Sequence, residues 1–282
     1  MLSSLQDFAV FLDASPAGER IGRQAARLAR QHGAHLIGIY GVSRQQTGPA
    51  GGMYVRGQAL QEVIDRRRRS DEEQVLEAGR CLAALSREYG VSSEFRVVWK
   101  YDDDEQAPLR NLHCDLLVSA HPPPDGLPDG WSGEALLRST GIPVLLLPAS
   151  WDNAEVGQHV LIAWNRSREA RRAVGDALPF IHRAKRVTVL AVDNGRAPSA
   201  PLEAPGSHLA EHLGRHGIEV ELAQVDAGGR PVAEVILAEA GARGADLLVA
   251  GAYSRARAAQ LLFGGTTRSL LADAALPLLM SR

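Results

Sequence analysis

The chain reads as one structural unit written twice, and this repetition constrains its fold more than any other feature. The first copy runs from Phe8-Ala-Val-Phe-Leu-Asp13-Ala-Ser15 through Asp115-Leu-Leu-Val118 to Ile142-Pro143-Val-Leu-Leu-Leu147. The second repeats it as Val160-Leu-Ile-Ala-Trp-Asn165-Arg-Ser167, Asp246-Leu-Leu-Val249 and Leu276-Pro277-Leu-Leu-Met280. The first copy is longer between its opening strand and its Asp-Leu-Leu-Val motif, and the extra residues are expected within 41–75. For 282 residues the length prior of roughly 150 per domain predicts two domains, 1–150 and 151–282, each large enough to bury a core without disulfides or metals.

Within each copy, apolar runs of strand length alternate with helical patterns. Strands are expected at 8–12, 35–40, 95–99, 115–119 and 144–147, then at 160–164, 187–192, 220–225, 246–250 and 276–280. Helices are expected at 15–31, 57–89, 105–112 and 132–139, then at 168–181, 207–216, 231–243 and 266–273. Pro231 at a helix start, with Gly217 and Gly244 just past helix ends, supplies the punctuation. Alternation of this kind, with almost wholly apolar strands, predicts an α/β chain of two tandem Rossmann-like, doubly wound parallel-sheet domains with both sheet faces covered. The short apolar last strands, 144–147 and 278–280, are expected at an edge paired between domains or subunits, because a bare edge of that kind invites aggregation.

Charge and composition exclude several classes of function. A net charge of −2 with mixed signs is a poor footprint for nucleic acid or an anionic membrane. No apolar run approaches the roughly 20 residues that span a bilayer, and the opening Met1-Leu-Ser-Ser-Leu-Gln-Asp7 has no leader character, so a soluble, cytoplasmic protein is expected. Cys81 and Cys114 lack metal-site spacing and read as structural thiols.

Doubly wound sheets bind ligands beyond the carboxyl ends of their strands, where the strand order reverses. In the second copy the fourth strand leads into Gly251-Ala-Tyr-Ser254, a polar stretch, and then Gly264-Gly265-Thr266-Thr267 at the start of a helix. Glycines admit a phosphate close to the backbone, and the free N–H groups and positive dipole end of the helix attract an anion. Tight turns alone would also account for the glycines. In the first copy Ala120 replaces the first glycine, His121-Pro-Pro-Pro-Asp125-Gly-Leu-Pro-Asp-Gly130 replaces the loop, and Trp131 follows. Prolines offer no N–H donors, and Asp125 and Asp129 repel phosphate, so one phosphate site per chain is expected, in the second half.

These residues resemble the universal stress protein family, in its tandem-domain bacterial form. Nucleotide-binding members carry Gly-x-x-Gly, nine residues, then Gly-Ser/Thr after the fourth strand, and an acidic residue at the end of the first. Gly251 and Gly264 match at the right separation, whereas Ser254 replaces the second glycine, Gly265 stands where Ser/Thr is expected with Thr266 one place later, and Asn165 replaces the acidic residue. The resemblance implies the adenine-nucleotide alpha-hydrolase-like form of the fold. It also implies a stress-response regulatory protein that binds ATP or a related adenine nucleotide through Asn165, Val192, Gly251, Ser254, Gly264, Gly265, Thr266 and Thr267. Magnesium accompanying the nucleotide is the one metal expected, and a homodimer or an unknown protein partner is the expected assembly.

Other clusters read as structural. His208, His212 and His216 follow helical spacing, but eight residues rise about 12 Å, too far for one zinc with bonds of about 2.1 Å. Arg66 to Arg69 are flanked by Asp65, Asp71, Glu72 and Glu73, which suit i,i+4 pairing on a solvated face. Asp102-Asp-Asp-Glu105 reads as an acidic loop or helix start. No nucleophile elbow, Walker loop, Cys-x-x-Cys or His-Glu-x-x-His motif is present, so no catalytic residue is assigned. Three functions follow in order: a nucleotide-dependent regulator, a nucleotide-independent interaction module of the same fold, and a slow ATPase.

Overall fold

Two helices open in the same way in the two halves. Ser15 and Ser167, both in extended backbone, accept the amide hydrogens of Gly18 and Ala170 on their hydroxyls and so start α1 (Pro16–His32) and α4 (Arg168–Ile181). The computed structural model describes residues 5–13, 15–43, 58–100, 112–122, 131–153, 155–195, 204–253 and 265–282. In the first half these also form β1 (Asp7–Leu12), β2 (His35–Ser43), α2 (Gln58–Tyr89), β3 (Ser93–Lys100), β4 (Leu116–His121), α3 (Gly133–Ser139) and β5 (Val144–Pro148). The second half contains β6 (His159–Ala163), β7 (Arg186–Asp193), α5 (Ser207–Arg215), β8 (Glu221–Asp226), α6 (Val232–Arg243), β9 (Leu247–Gly251), α7 (Gly265–Asp273) and β10 (Leu278–Ser281). The helix expected at 105–112 lies, apart from Leu112, outside the described residues. The lengthened region of the first copy contains much of α2, 32 residues long against nine for its counterpart α5.

All ten strands join one sheet in the order β3-β2-β1-β4-β5-β10-β9-β6-β7-β8. Every neighbouring pair is parallel except β5 and β10, which run antiparallel with Leu146 opposite Leu278 and Val144 opposite Met280. The two parallel sheets expected from the sequence are therefore halves of a single mixed sheet. The chain pairs its own short apolar last strands, which removes two open edges at once.

Strand residues alternate between two apolar clusters. Phe8, Val10, Leu12, Val160, Ile162 and Val249 pack with α1, α2, α4 and α5 in one cluster, and Ala9, Phe11, Leu161, Leu248 and Met280 pack with α3, α6 and α7 in the other. Each cluster runs through both halves. The strand order reverses between β6 and β9, with α4 leaving on one face and α7 on the other, which makes the carboxyl ends of those two strands the switch point of the second half.

The repeated Asp-Leu-Leu-Val motif has a structural cause. The Asp115 carboxylate accepts the amide hydrogens of Gln6 and Asp7 at 2.6 and 3.0 Å, and Asp246 accepts those of Gly157, Gln158 and His159 at 3.1, 3.0 and 2.8 Å. Each carboxylate ties the start of the fourth strand of its half to the start of the first.

Candidate functional site

The first-strand ends of the two halves carry the same local device. Asn165 Oδ1 accepts the Ser167 amide hydrogen at 3.1 Å, as Asp13 Oδ1 accepts that of Ser15 at 2.7 Å. Both side chains close an Asx turn that presents the capping serine to the next helix. The amide at 165 thus preserves the turn that the carboxylate makes at 13. Arg166, between Asn165 and Ser167, has φ +62°, uncommon for a residue with a side chain. In the first half, Asp13 Oδ2 is buried without a hydrogen bond among the described residues. Trp131, which aligns with Gly265, is fully buried and packs 5.1 Å from the Phe11 ring.

At the end of β9, Gly251 meets the first turn of α4. A Cβ here would lie 2.5 Å from the Glu169 carbonyl carbon and 2.9 Å from the Ala170 Cα, so the helix approaches the strand closely because residue 251 has no side chain. The sequence-level reason for this glycine was phosphate approach; the structure supplies a packing reason. Two residues on, Tyr253 has φ +58° and donates its amide hydrogen to Thr267 Oγ1 at 3.1 Å. Thr267 is buried and clasps the strand end to α7, while Gly265 and Thr266 are exposed in the first turn of that helix. A Cβ on Gly265 would touch nothing within 4 Å among the described residues. Val192, half-buried near the carboxyl end of β7, pairs with Val225 and packs against the α6 and α7 side. Ser254 and Gly264 lie outside the described residues. Asn165, Val192, Gly251, Gly265, Thr266 and Thr267 thus all belong to strand ends or helix starts around the switch point.

Positive charge borders this region. Arg282 stacks over the Tyr253 ring at 5.9 Å and, with Arg138, Arg168 and Arg172, lines a cavity of about 510 Å³ where α3 of the first half meets the start of α4. Arg172 is paired with Asp176 at 2.8 Å, and Arg138 sits 3.9 Å from Glu134. Burial, with the Glu134 carboxylate second, pushes the Tyr253 phenol up to about 12, so it stays neutral at physiological pH. Tyr253 and these arginines were not among the sequence-level candidates. They converge from four separate segments, and no spacing rule links them.

The other sequence clusters resolve locally. His212 and His216 pack edge to face at 4.8 Å, and His182 stands 6.3 Å from His216. Among the described residues no group of three or more His, Cys, Asp or Glu side chains is placed to hold a metal ion. Arg68 pairs with Glu72 at 3.1 Å on the exposed face of α2. Asp102 to Glu105 lie outside the described residues. No described helix is long and apolar enough to cross a membrane.

Residues 157–282 match the model of the universal stress protein family. The match covers the second half of the chain, which is a universal stress protein domain. Among solved structures, a universal stress protein from Archaeoglobus fulgidus aligns over 98% of this chain and 98% of its own, at 15% identity and a TM-score of 0.66. A protein from Pseudomonas aeruginosa described as functionally unknown aligns over 99% of this chain and 92% of its own, at 18% identity and a TM-score of 0.59. At these identities the likeness is one of fold, and it takes in the first half as well as the universal stress domain. A universal stress protein in complex with cAMP is matched in full by 52% of this chain, at 19% identity and a TM-score of 0.37. A comparison with curated proteins finds no match.

Proposed function

We propose that the universal stress domain at 157–282 binds one adenine nucleotide per chain, as a regulatory ligand in a stress response. The observation that carries this reading is the start of α7, where Gly265 and Thr266, exposed among the described residues, stand beyond the end of β9 at the switch point. The N–H groups and the helix dipole at that end favour phosphate, and the Thr266 hydroxyl adds a donor. Asn165 and Val192, at the ends of the two neighbouring strands, flank the place for the base, and an amide both donates and accepts toward adenine. Arg282 and its neighbours add positive potential on one side. Magnesium would be held chiefly by the phosphates of the nucleotide, with the Thr266 hydroxyl available as a protein ligand.

Calorimetric titration of the full chain with ATP and with adenosine tests the reading. Gly265→Asp adds a carboxylate where no packing is disturbed, and it is expected to weaken ATP at least about tenfold through charge repulsion at a helix N-terminus while leaving adenosine unchanged. One ATP per chain is expected. Two sites per chain, or equal ATP affinity in the variant, would overturn the assignment.

The interaction-module reading has its own support. Asn165 Oδ1 and Thr267 Oγ1, both candidate ligands, already serve the Asx turn and the Tyr253 clasp. Failure of the parent to bind any adenine nucleotide would favour that reading.

A further inference from the structure

We propose that the groove between α4 and α5 is a second binding site, for a small aromatic carboxylate. In the first half the corresponding helices are closed together. The Leu85 side chain reaches within 3.1 Å of where a Cβ on Gly22 would stand, and Arg23 bridges to Glu88 at 2.9 Å. In the second half α5 is too short to run along α4, and a Cβ on Gly175 would meet nothing within 4 Å. A cavity of about 760 Å³ results, within the size range of sites for small organic ligands.

The walls select the ligand. Trp164, Val174, Leu178 and Leu209 supply apolar surface, and Arg166 and Arg171 stand at the polar side. The neighbouring Arg168 and Arg172 pair with Glu169 and Asp176, whereas Arg166 and Arg171 have no carboxylate partner among the described residues. Two guanidiniums with no described carboxylate partner, beside an apolar cavity, complement a flat apolar body that ends in an anion, and a guanidinium holds a carboxylate with paired hydrogen bonds. The positive φ of Arg166 is a local strain of the kind that gathers at binding sites, and it turns the chain at the mouth of this groove. Trp164 packs with the cluster on the α4 and α5 face, while Val192 and Tyr253 of the nucleotide site pack with the other cluster. The groove therefore lies on the α4 and α5 face, bordering the nucleotide site at Asn165, and its lining does not rest on nucleotide binding.

The test uses 1-naphthoate and its neutral analogue 1-naphthalenemethanol, titrated into the full chain by calorimetry. The parent is expected to bind naphthoate more tightly than the alcohol. Arg171→Gln and Arg166→Gln, both changes at exposed positions, should each weaken naphthoate about tenfold, the scale of one charge-assisted hydrogen bond, without altering the alcohol. Gly175→Leu should fill the cavity and abolish both, while circular dichroism confirms a folded protein. The inference is overturned if the parent binds no naphthoate, if acid and alcohol bind equally, if neither arginine variant changes affinity, or if Gly175→Leu still binds.

Discussion

Acid should loosen the contact between the halves through one imidazole. His32, in the last turn of α1, packs between Phe8 at 5.7 Å and Phe180 of α4 at 4.8 Å, joining a helix of the first half to one of the second. Burial, with a smaller contribution from the nearby Arg183 charge, pushes its pKa down to about 4 from an ordinary value near 6.5. Between those values the unfolded chain takes up a proton that the folded chain refuses, so stability falls as pH falls from 6.5 and levels off below 4. At ~1.36 kcal/mol per pH unit the gap makes the folded state about 3 kcal/mol less stable at pH 4 than at pH 7 through this group alone. His32→Phe keeps an aromatic ring between Phe8 and Phe180 and removes the titration. Urea unfolding of parent and variant, followed by circular dichroism at intervals between pH 7 and pH 4, isolates the effect as the difference between their pH slopes. Parallel slopes would refute the argument, and so would a variant that loses stability faster than the parent as pH falls.

Other expectations follow from packing and hydrogen bonding. Gly251→Ala should destabilise the chain by about 1–3 kcal/mol in urea unfolding, because the added methyl meets the backbone of α4 and not a movable side chain. Asp246→Ala should cost about 2–3 kcal/mol by the same measurement, since three amide hydrogens lose a charged acceptor, and Asp115→Ala, with two, should cost less. Burial pushes the Cys114 thiol up to about 12 and raises that of Cys81, so both should react with a disulfide reagent at pH 8 far more slowly in the folded chain than in urea.

Much of this architecture was legible because strand and helix periods are local properties. Apolar alternation placed β7, β8, α6 and α7 within a residue or two of their observed bounds, and the repeated Asp-Leu-Leu-Val marked equivalent strands before any contact was known. The glycines of the candidate site were also legible, but their causes were not. Gly251 is small because the Glu169 and Ala170 backbone presses on it, and that neighbour lies some eighty residues away in the chain. Asn165 could be read as a ligand, whereas its turn with Ser167 depends on a helix starting where the serine caps it.

The amino-acid sequence by itself determined the duplicated α/β elements, their order, and the difference between an open glycine-threonine helix start in one half and a proline and tryptophan replacement in the other. Only the tertiary structure decided that β5 and β10 meet antiparallel to make one sheet, that four arginines from both halves line one cavity, and that a short α5 leaves a groove along α4. The physical reason is range: propensity and patterning act over a few residues, while edge pairing, charge clustering and cavity volume depend on segments brought together from distant parts of the chain.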